Sequence, residues 1–419
     1  MPALLGPVYG LLFTLDSVLY NRVKGVLSTL VLPLSYVVVE FLITCVNPLG
    51  NTGMLAYSQY QVLPLMQLSS ITGTFGITFL IVWFGSFANW TYDTRANFEA
   101  IKKPVAIYAL IMVSVFTFGG LRLIFSVQDQ GTVRIAGVHV FDLRGAEGQA
   151  IWNAVDNDFA MFREMSKDIQ KRLFQATQRE AQSGAKIVVW SEISPPIARQ
   201  DLSQFLEKAQ EQAKEQGIYL GISPYIVNPN SRDENKLYIL SPEGRIVLEH
   251  YKFGGNLIEG TVKGNGVLQT VDTPYGRISG VICWDQDFPS VMRQAGQSGV
   301  DILLAPTADW KEIDPLHSMV GMTRAIENGY SLFRQDVNGL SLAVNPLGET
   351  LAQMDHYNSK GNDWTMVAQV PTKGVPTLYP ILGDLFVWIC IVALIMIIIK
   401  YKFGLSKKMV LPHTWWSSR

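Results

Sequence analysis

Long apolar runs occupy the two ends of this chain, and mixed or alternating patterns fill its middle. Between Gly25 and Tyr92 the only charged side chain is Glu40; from Val105 to Ile124 it is Arg122, and from Ile381 to Ile399 it is Asp384. Runs of this kind match the ~20 apolar residues that cross the hydrocarbon core of a bilayer. They predict an N-terminal membrane domain over 1–125 with segments at 3–20, 25–44, 71–91 and 105–124, and a C-terminal span within 380–400. The middle reads differently. "TVRIAGVHV" (132–140), "AKIVVWSE" (185–192), "IYLGISPYI" (218–226), "KLYILS", "RIVLEHY", "VLQTVDT", "RISGVICW" and "DILLAP" have the short β-rich pattern of strands. Further strands are expected near 331–346 and 365–370. Helical spacing covers 151–182, with Trp152, Val155, Phe159 and Phe162 on one stripe, and recurs at 199–216, 289–298 and 315–328. Strands mixed with both helices and hairpins indicate a layered α/β domain over 130–372, tethered by 126–131 and the Pro-rich 371–380.

Charge adds an orientation. Lys and Arg cluster in short loops at Arg22 and Lys24, at Arg95, Lys102 and Lys103, and after the last span at Lys400, Lys402, Lys407 and Lys408. Positive-inside bias puts those loops and the 401–419 tail in the cytoplasm, and the α/β block on the outer side. A chain with N-terminal apolar runs but no basic region before the first of them carries no signal-peptide pattern. Net charge is −1, which gives no reason to expect nucleic acid.

Three cysteines are present, and Cys283 is the one in the polar middle, behind "RISGVI". A lone cysteine is ordinarily a small buried hydrophobe; an odd thiol outside the cytoplasm also suggests a reactive group. Glu192, Lys252 and Cys283 each follow a β-like run, where side chains can converge at one mouth of a sheet. A carboxylate can take the thiol proton and return it later. An ammonium, with the backbone N–H after the cysteine, can hold an oxyanion.

The surrounding words carry a resemblance. "VVWSEIS", "HYKF", "GVICWDQDFP", "GVDILLAPTADW" and "RAIENGYSLFRQDVNGLSLAVNPLGE" are similar, in order and separation, to motifs of the carbon–nitrogen hydrolase (nitrilase) superfamily. "LPLSYVVVEFL", "NPLGNTGMLAYSQ" and "PLMQLSSITGTFGITFL" resemble the membrane region of the superfamily's acyltransferase branch, the apolipoprotein N-acyltransferase family. That resemblance implies integral membrane helices joined to an α-β-β-α sandwich. It also implies a Glu192, Lys252, Cys283 catalytic triad, a phospholipid acyl donor, a diacylglyceryl lipoprotein acceptor, no cofactor, and a multi-pass place in a bacterial inner membrane with the catalytic domain outside. Departures bear on the substrate. The family carries more membrane segments ahead of this region, Glu259 in "GGNLIEG" sits one position closer to the lysine than expected, and Trp284–Asp285 replaces Tyr-Glu, as in soluble amidases. A membrane-anchored amidase acting on a small C–N bond is therefore the alternative.

Other residues take expected roles around this centre. Trp284, Glu259 and Asp285 are candidates to support the site. Trp190, Trp310 and Glu40 are candidates to line the substrate path, with core packing the rival for the tryptophans and a polar anchor for Glu40. Arg324 and Glu327, three apart on a helix, suit a structural ion pair. His139, His250, His317 and His356 lack metal-ligand spacing and suit hydrogen bonding, so no metal is expected. Trp415 and Trp416 suit a membrane-interface belt.

Overall fold

A computed structural model of the chain describes residues 2–20, 22–126, 131–359 and 364–403. The tail from 404, with Lys407, Lys408, Trp415 and Trp416, and residues 127–130 of the first tether lie outside the described residues. The chain divides into two compact units, 1–43 with 75–114 and 384–419, and 44–74 with 115–383.

The first unit is helical. Helices Pro2–Tyr20, Val31–Val46, Thr74–Thr94, Phe98–Phe125 and Leu385–Phe403 form where the apolar runs predict them, and the end of Phe98–Phe125 from Val115 onward belongs to the second unit. Two stretches, Gly25–Val46 and Phe98–Phe125, are long and apolar enough to cross a membrane. Aromatic contacts join the helices: Tyr9 to Tyr36 at 5.3 Å, Phe79 to Phe386 at 5.8 Å and Trp83 to Tyr108 at 4.8 Å between ring centroids. Glu40 is buried here and accepts a 2.8 Å hydrogen bond from Thr78 Oγ1. This bond satisfies an anchor within the helical unit.

The second unit holds fourteen strands among the described residues: β1 (Thr132–Val138), β2 (Ile187–Trp190), β3 (Pro196–Ala198), β4 (Tyr219–Ile222), β5 (Tyr225–Val227), β6 (Glu234–Leu240), β7 (Ile246–Tyr251), β8 (Thr270–Thr273), β9 (Gly276–Gly280), β10 (Ile302–Ala308), β11 (Ser331–Val337), β12 (Leu340–Val344), β13 (Thr350–Asp355) and β14 (Met366–Pro371). One sheet has the order β14-β1-β2-β4-β6-β5-β3 with β7 also on β6, and the other runs β13-β12-β11-β10-β9-β8. The period-2 alternation of strands sorts their side chains. Ile135, Ile187, Val189 and Leu237 face the second sheet's Ile278, Ile302, Leu304 and Phe333, while Ala136, Val138, Val188 and Trp190 face helices Ala146–Asn157, Phe159–Gln182 and Leu202–Gln216. Helices Pro289–Gln297 and Leu316–Asn328 pack on the other side of the second sheet. The result is the expected α-β-β-α sandwich.

Several boundaries differ from the sequence pattern for local reasons. The helix expected over 151–182 starts at Ala146 and breaks at Asp158, whose side chain leaves the first helix and caps the second through Met161 N–H at 3.0 Å. The strand expected over 218–226 divides into β4 and β5 at Ser223-Pro224, because proline cannot donate to a ladder. The 45–70 loop, expected to belong to the membrane domain over 1–125, packs with the sandwich. Gln67 Nε2 donates to Leu347 O at 2.9 Å, Asn51 N–H to Asp287 O at 2.8 Å, and Thr74 N–H to Glu327 at 2.9 Å. Apolar patterning records burial but not what the buried face rests on.

Candidate active site

Two sheets deliver the candidate residues to one place. Glu192 lies two residues beyond β2, Lys252 follows β7 directly, and Cys283 comes three residues after β9. All three are buried. Lys252 Nζ donates to Glu192 Oε1 at 2.6 Å, and Asn235 Nδ2 donates to the same oxygen at 2.7 Å. Asn235 was not singled out by sequence; it sits on β6, and its carbonyl accepts the Lys252 N–H at 3.0 Å, so it holds both partners. Glu192 Oε2 is buried and accepts no hydrogen bond within the described residues. Glu259 reaches Lys252 Nζ from its one-turn helix Asn256–Glu259, so its shifted position still brings a second carboxylate to the ammonium.

Cys283 is not on a strand end. It opens a tight turn, Cys283–Asp287, at φ +45°, a left-handed conformation that L-residues rarely adopt. Such strain persists only where surroundings over-determine it, and Asp285 supplies much of that constraint. Its two oxygens accept from Ile282 N–H at 2.9 Å and from Phe253 and Gly254 N–H at 2.8 Å each, and they bond His250 Nε2 at 2.7 Å. One carboxylate thus ties the cysteine turn to the backbone after Lys252. The adjacent glycines are required by Trp284: a Cβ on Gly255, at φ +80°, would lie 2.2 Å from the indole, and one on Gly254 would lie 2.6 Å from the Trp284 carbonyl. The indole thus requires glycine at 255, and the backbone of the cysteine turn requires it at 254.

Electrostatics follow from this packing. Burial and the neighbouring Glu192 charge push the Cys283 thiol well above its usual range, with Lys252 opposing them. Burial also opposes the Lys252 charge, but Glu192, Cys283 and Glu259 outweigh it and hold the ammonium firmly protonated. Glu259 is raised by burial against the pull of Lys252. Asp285 is lowered, since its hydrogen bonds outweigh its burial.

Beside the thiol lies a charge cluster that sequence reasoning missed. His317 is buried between Asp309 on Nδ1 at 2.6 Å and Asp287 on Nε2 at 2.7 Å. Arg334 pairs with Asp309 at 2.7 Å and with Asp336. The two aspartates overcome burial and raise His317 to about 10, Arg334 and His317 hold Asp309 low, and burial beside Asp309 raises Asp336. Reactive atoms of Cys283, Asp309 and His317 lie within 4.8 Å of one another. Both imidazole nitrogens and both Asp309 oxygens are already engaged, which makes this an ion-pair network and not an open ligand set. Because the folded His317 value exceeds the ordinary 6.5, its stabilisation is complete below pH ~6.5 and lost as pH rises toward 10. The melting temperature of wild type should fall over pH 7–10 more steeply than that of His317→Asn; parallel curves in a fluorescence melt would show that the imidazole does not titrate.

The other candidates separate. Trp284 and Trp310 meet edge-on at 5.6 Å and line an apolar cleft of about 540 Å³ with Met54, Tyr57, Leu316 and Val320. Trp190 does not reach it. That side chain faces the helices, packs on Phe174 and Phe205 and donates to Thr177 Oγ1 at 2.8 Å, because strand alternation sends it away from the sheet interface. Its candidacy as a lining residue is thereby corrected to core packing. Arg324 and Glu327 form the expected ion pair at 2.7 Å. Thr52 Oγ1 donates to Asp287 at 2.8 Å, fixing one wall of the cleft to the cysteine turn.

Sandwich, buried Glu–Lys pair and strained cysteine turn together define a class. Residues 150–376 match the carbon-nitrogen hydrolase family, and the chain belongs to it. Residues 1–87 match the apolipoprotein N-acyltransferase N-terminal domain. Similar curated proteins include the apolipoprotein N-acyltransferases of Borreliella burgdorferi, 22% identical over 86% of this chain and 73% of the relative, and of Geobacter metallireducens, 24% identical over 80% and 67%. Among solved structures, an amidase from Nesterenkonia sp. AN1 is similar with 17% identity and a TM-score of 0.46, covering 57% of this chain and 92% of the amidase.

Proposed function

We propose that this protein is a membrane N-acyltransferase that carries a fatty acyl chain on Cys283. In the first half-reaction Cys283 Sγ attacks a phospholipid ester carbonyl while its proton passes to Glu192 Oε2, the carboxylate oxygen left without a partner. Lys252 and the Trp284 N–H hold the oxyanion; the ester C–O bond breaks, Glu192 returns the proton to the leaving oxygen, and lysophospholipid departs. In the second, an amine attacks the thioester, gives a proton to Glu192, and leaves as an amide while Cys283 recovers its proton. Because burial keeps the thiol protonated at rest, proton transfer accompanies attack in place of a preformed thiolate. Glu259 and Asp285 position the lysine and the cysteine turn.

The observation that carries this reading is the apolar cleft beside Trp284, which suits an acyl chain better than a small amide. By similarity, the amine is the N-terminus of a diacylglyceryl lipoprotein, and the enzyme is a multi-pass membrane protein with its catalytic domain outside the cytoplasm. Incubating purified protein with labelled phospholipid and a diacylated lipopeptide should yield N-acylated peptide and lysophospholipid in equal amounts. Ammonia release from a small amide, with the lipid untouched, would establish the amidase instead.

A further inference from the structure

We propose that the second unit contains a binding pocket for an anionic phospholipid, centred on Arg122 and separate from the acyl-transfer cleft. Arg122 lies in the last turn of helix Phe98–Phe125. A long basic side chain there normally extends to water or headgroups and complements the helix dipole. This one is half-buried and held inward: Nη1 donates to Gln67 Oε1 at 2.8 Å, and Gln67 is itself oriented by donating to Leu347 O at 2.9 Å. Nη2 is buried and has no hydrogen-bond partner among the described residues. The guanidinium borders a cavity of about 420 Å³ in which no lining residue is acidic among the described residues. A buried cation with an unused donor is costly, and the cost falls when an anionic acceptor arrives.

The surroundings choose among anions. Ser70, Ser126 and Thr377 line the same cavity; Ser70 and Thr377 already donate to Gln67 O and Glu327 O at 2.7 Å each, so Arg122 and the neighbouring Ser126 are the groups left to meet a phosphate oxygen. Phe118, Leu121 and Phe125 lie on the same helix end and expose their apolar side chains, which suits acyl chains and not a free ion. A zwitterionic headgroup would bring an ammonium to a site that offers arginine and, among the described residues, no carboxylate; a phosphatidylglycerol-like headgroup would not. The lining shares no residue with the cleft beside Trp284, so the bound lipid is not the one undergoing transfer. This inference rests on the membrane placement of helix Phe98–Phe125 and is independent of acyl-transfer chemistry.

The test uses the full chain, purified in detergent and delipidated, and titrated with dioleoyl-phosphatidylglycerol, dioleoyl-phosphatidylcholine or inorganic phosphate. Thermal melts and native mass spectrometry report binding. Wild type should retain phosphatidylglycerol with a preference of roughly 10-fold or more over phosphatidylcholine, the scale of one charge-assisted hydrogen bond, and phosphate alone should not stabilise it. Arg122→Gln should lose the preference. Ile71→Glu, which keeps the arginine but places a carboxylate in the cavity, should lose it too and guards against misfolding of the first variant. Equal retention of the two lipids by wild type, a preference that survives in a folded variant, or equal stabilisation by free phosphate would overturn the proposal.

Discussion

Wild-type protein mixed with phospholipid and no amine should gain the mass of one fatty acyl chain, and Cys283→Ser should not. The expectation combines three features of the site. The thiol is buried, the turn that carries it is held at φ +45° by surrounding contacts, and the adjoining cleft is apolar. Attack by Cys283 releases lysophospholipid, but completion requires a second nucleophile. Water enters a dry cleft poorly, so the thioester outlives the first step. Serine in the same place lacks an acidic enough proton for Glu192 to remove, and turnover should fall on the order of 10⁴–10⁶-fold, as when a covalent nucleophile is lost. Hydroxylamine should strip the adduct and restore the unmodified mass. An unmodified wild type that nevertheless forms N-acyl peptide would contradict the covalent route.

Lys252→Met should damage both stability and catalysis, through different physics. Lys252 and Glu192 are each about 1% exposed and paired at 2.6 Å. Removing the cation strands a buried carboxylate, which costs about 3–5 kcal/mol and lowers the melting temperature by ~6–20 °C for a domain of this size. Acyl transfer should fall by ~10²–10³-fold beyond any loss of folded protein, the scale of one lost oxyanion donor. The double variant Glu192→Gln/Lys252→Met separates the effects. Removing both charges should recover most of the melting temperature and so measures the ion-pair part of the loss. If the activity lost in Lys252→Met alone matched its loss of folded protein, Lys252 would be a structural ion-pair partner and no part of the oxyanion site.

Much of this site was legible because its chemistry lies in local words. "VVWSE", "HYK" and "GVICW" each end a β-like run, and the sandwich brings those ends together. Trp190 shows the limit of the same method. It lies two positions from Glu192 and was a lining candidate, but the side-chain direction depends on which sheet face each residue of β2 takes. The His317 cluster was illegible for another reason. Asp287, Asp309, His317 and Arg334 come from a turn, a strand end, a helix and another strand, and no spacing in the chain reveals that they meet. The one available signal was polar residues interrupting an apolar run, as "DQD" does between "GVICW" and "FP". Conversely, the 45–70 stretch reads as a loop within the domain expected over 1–125 but groups with the sandwich, because the absence of Lys and Arg does not say what a loop packs on.

The contact between Thr52 and Asp287 also sets a schedule for the ribosome. The two residues are 235 positions apart, so the segment that forms a wall of the cleft is synthesised long before the turn that anchors it. At roughly 5–20 residues per second, that delay is about 12–47 s. Throughout it Met54, Tyr57 and Leu65, all buried in the finished protein, have no sandwich to cover them. The newborn chain must therefore shelter an apolar arm, against the bilayer surface or a chaperone, until just over two-thirds of the protein has been made.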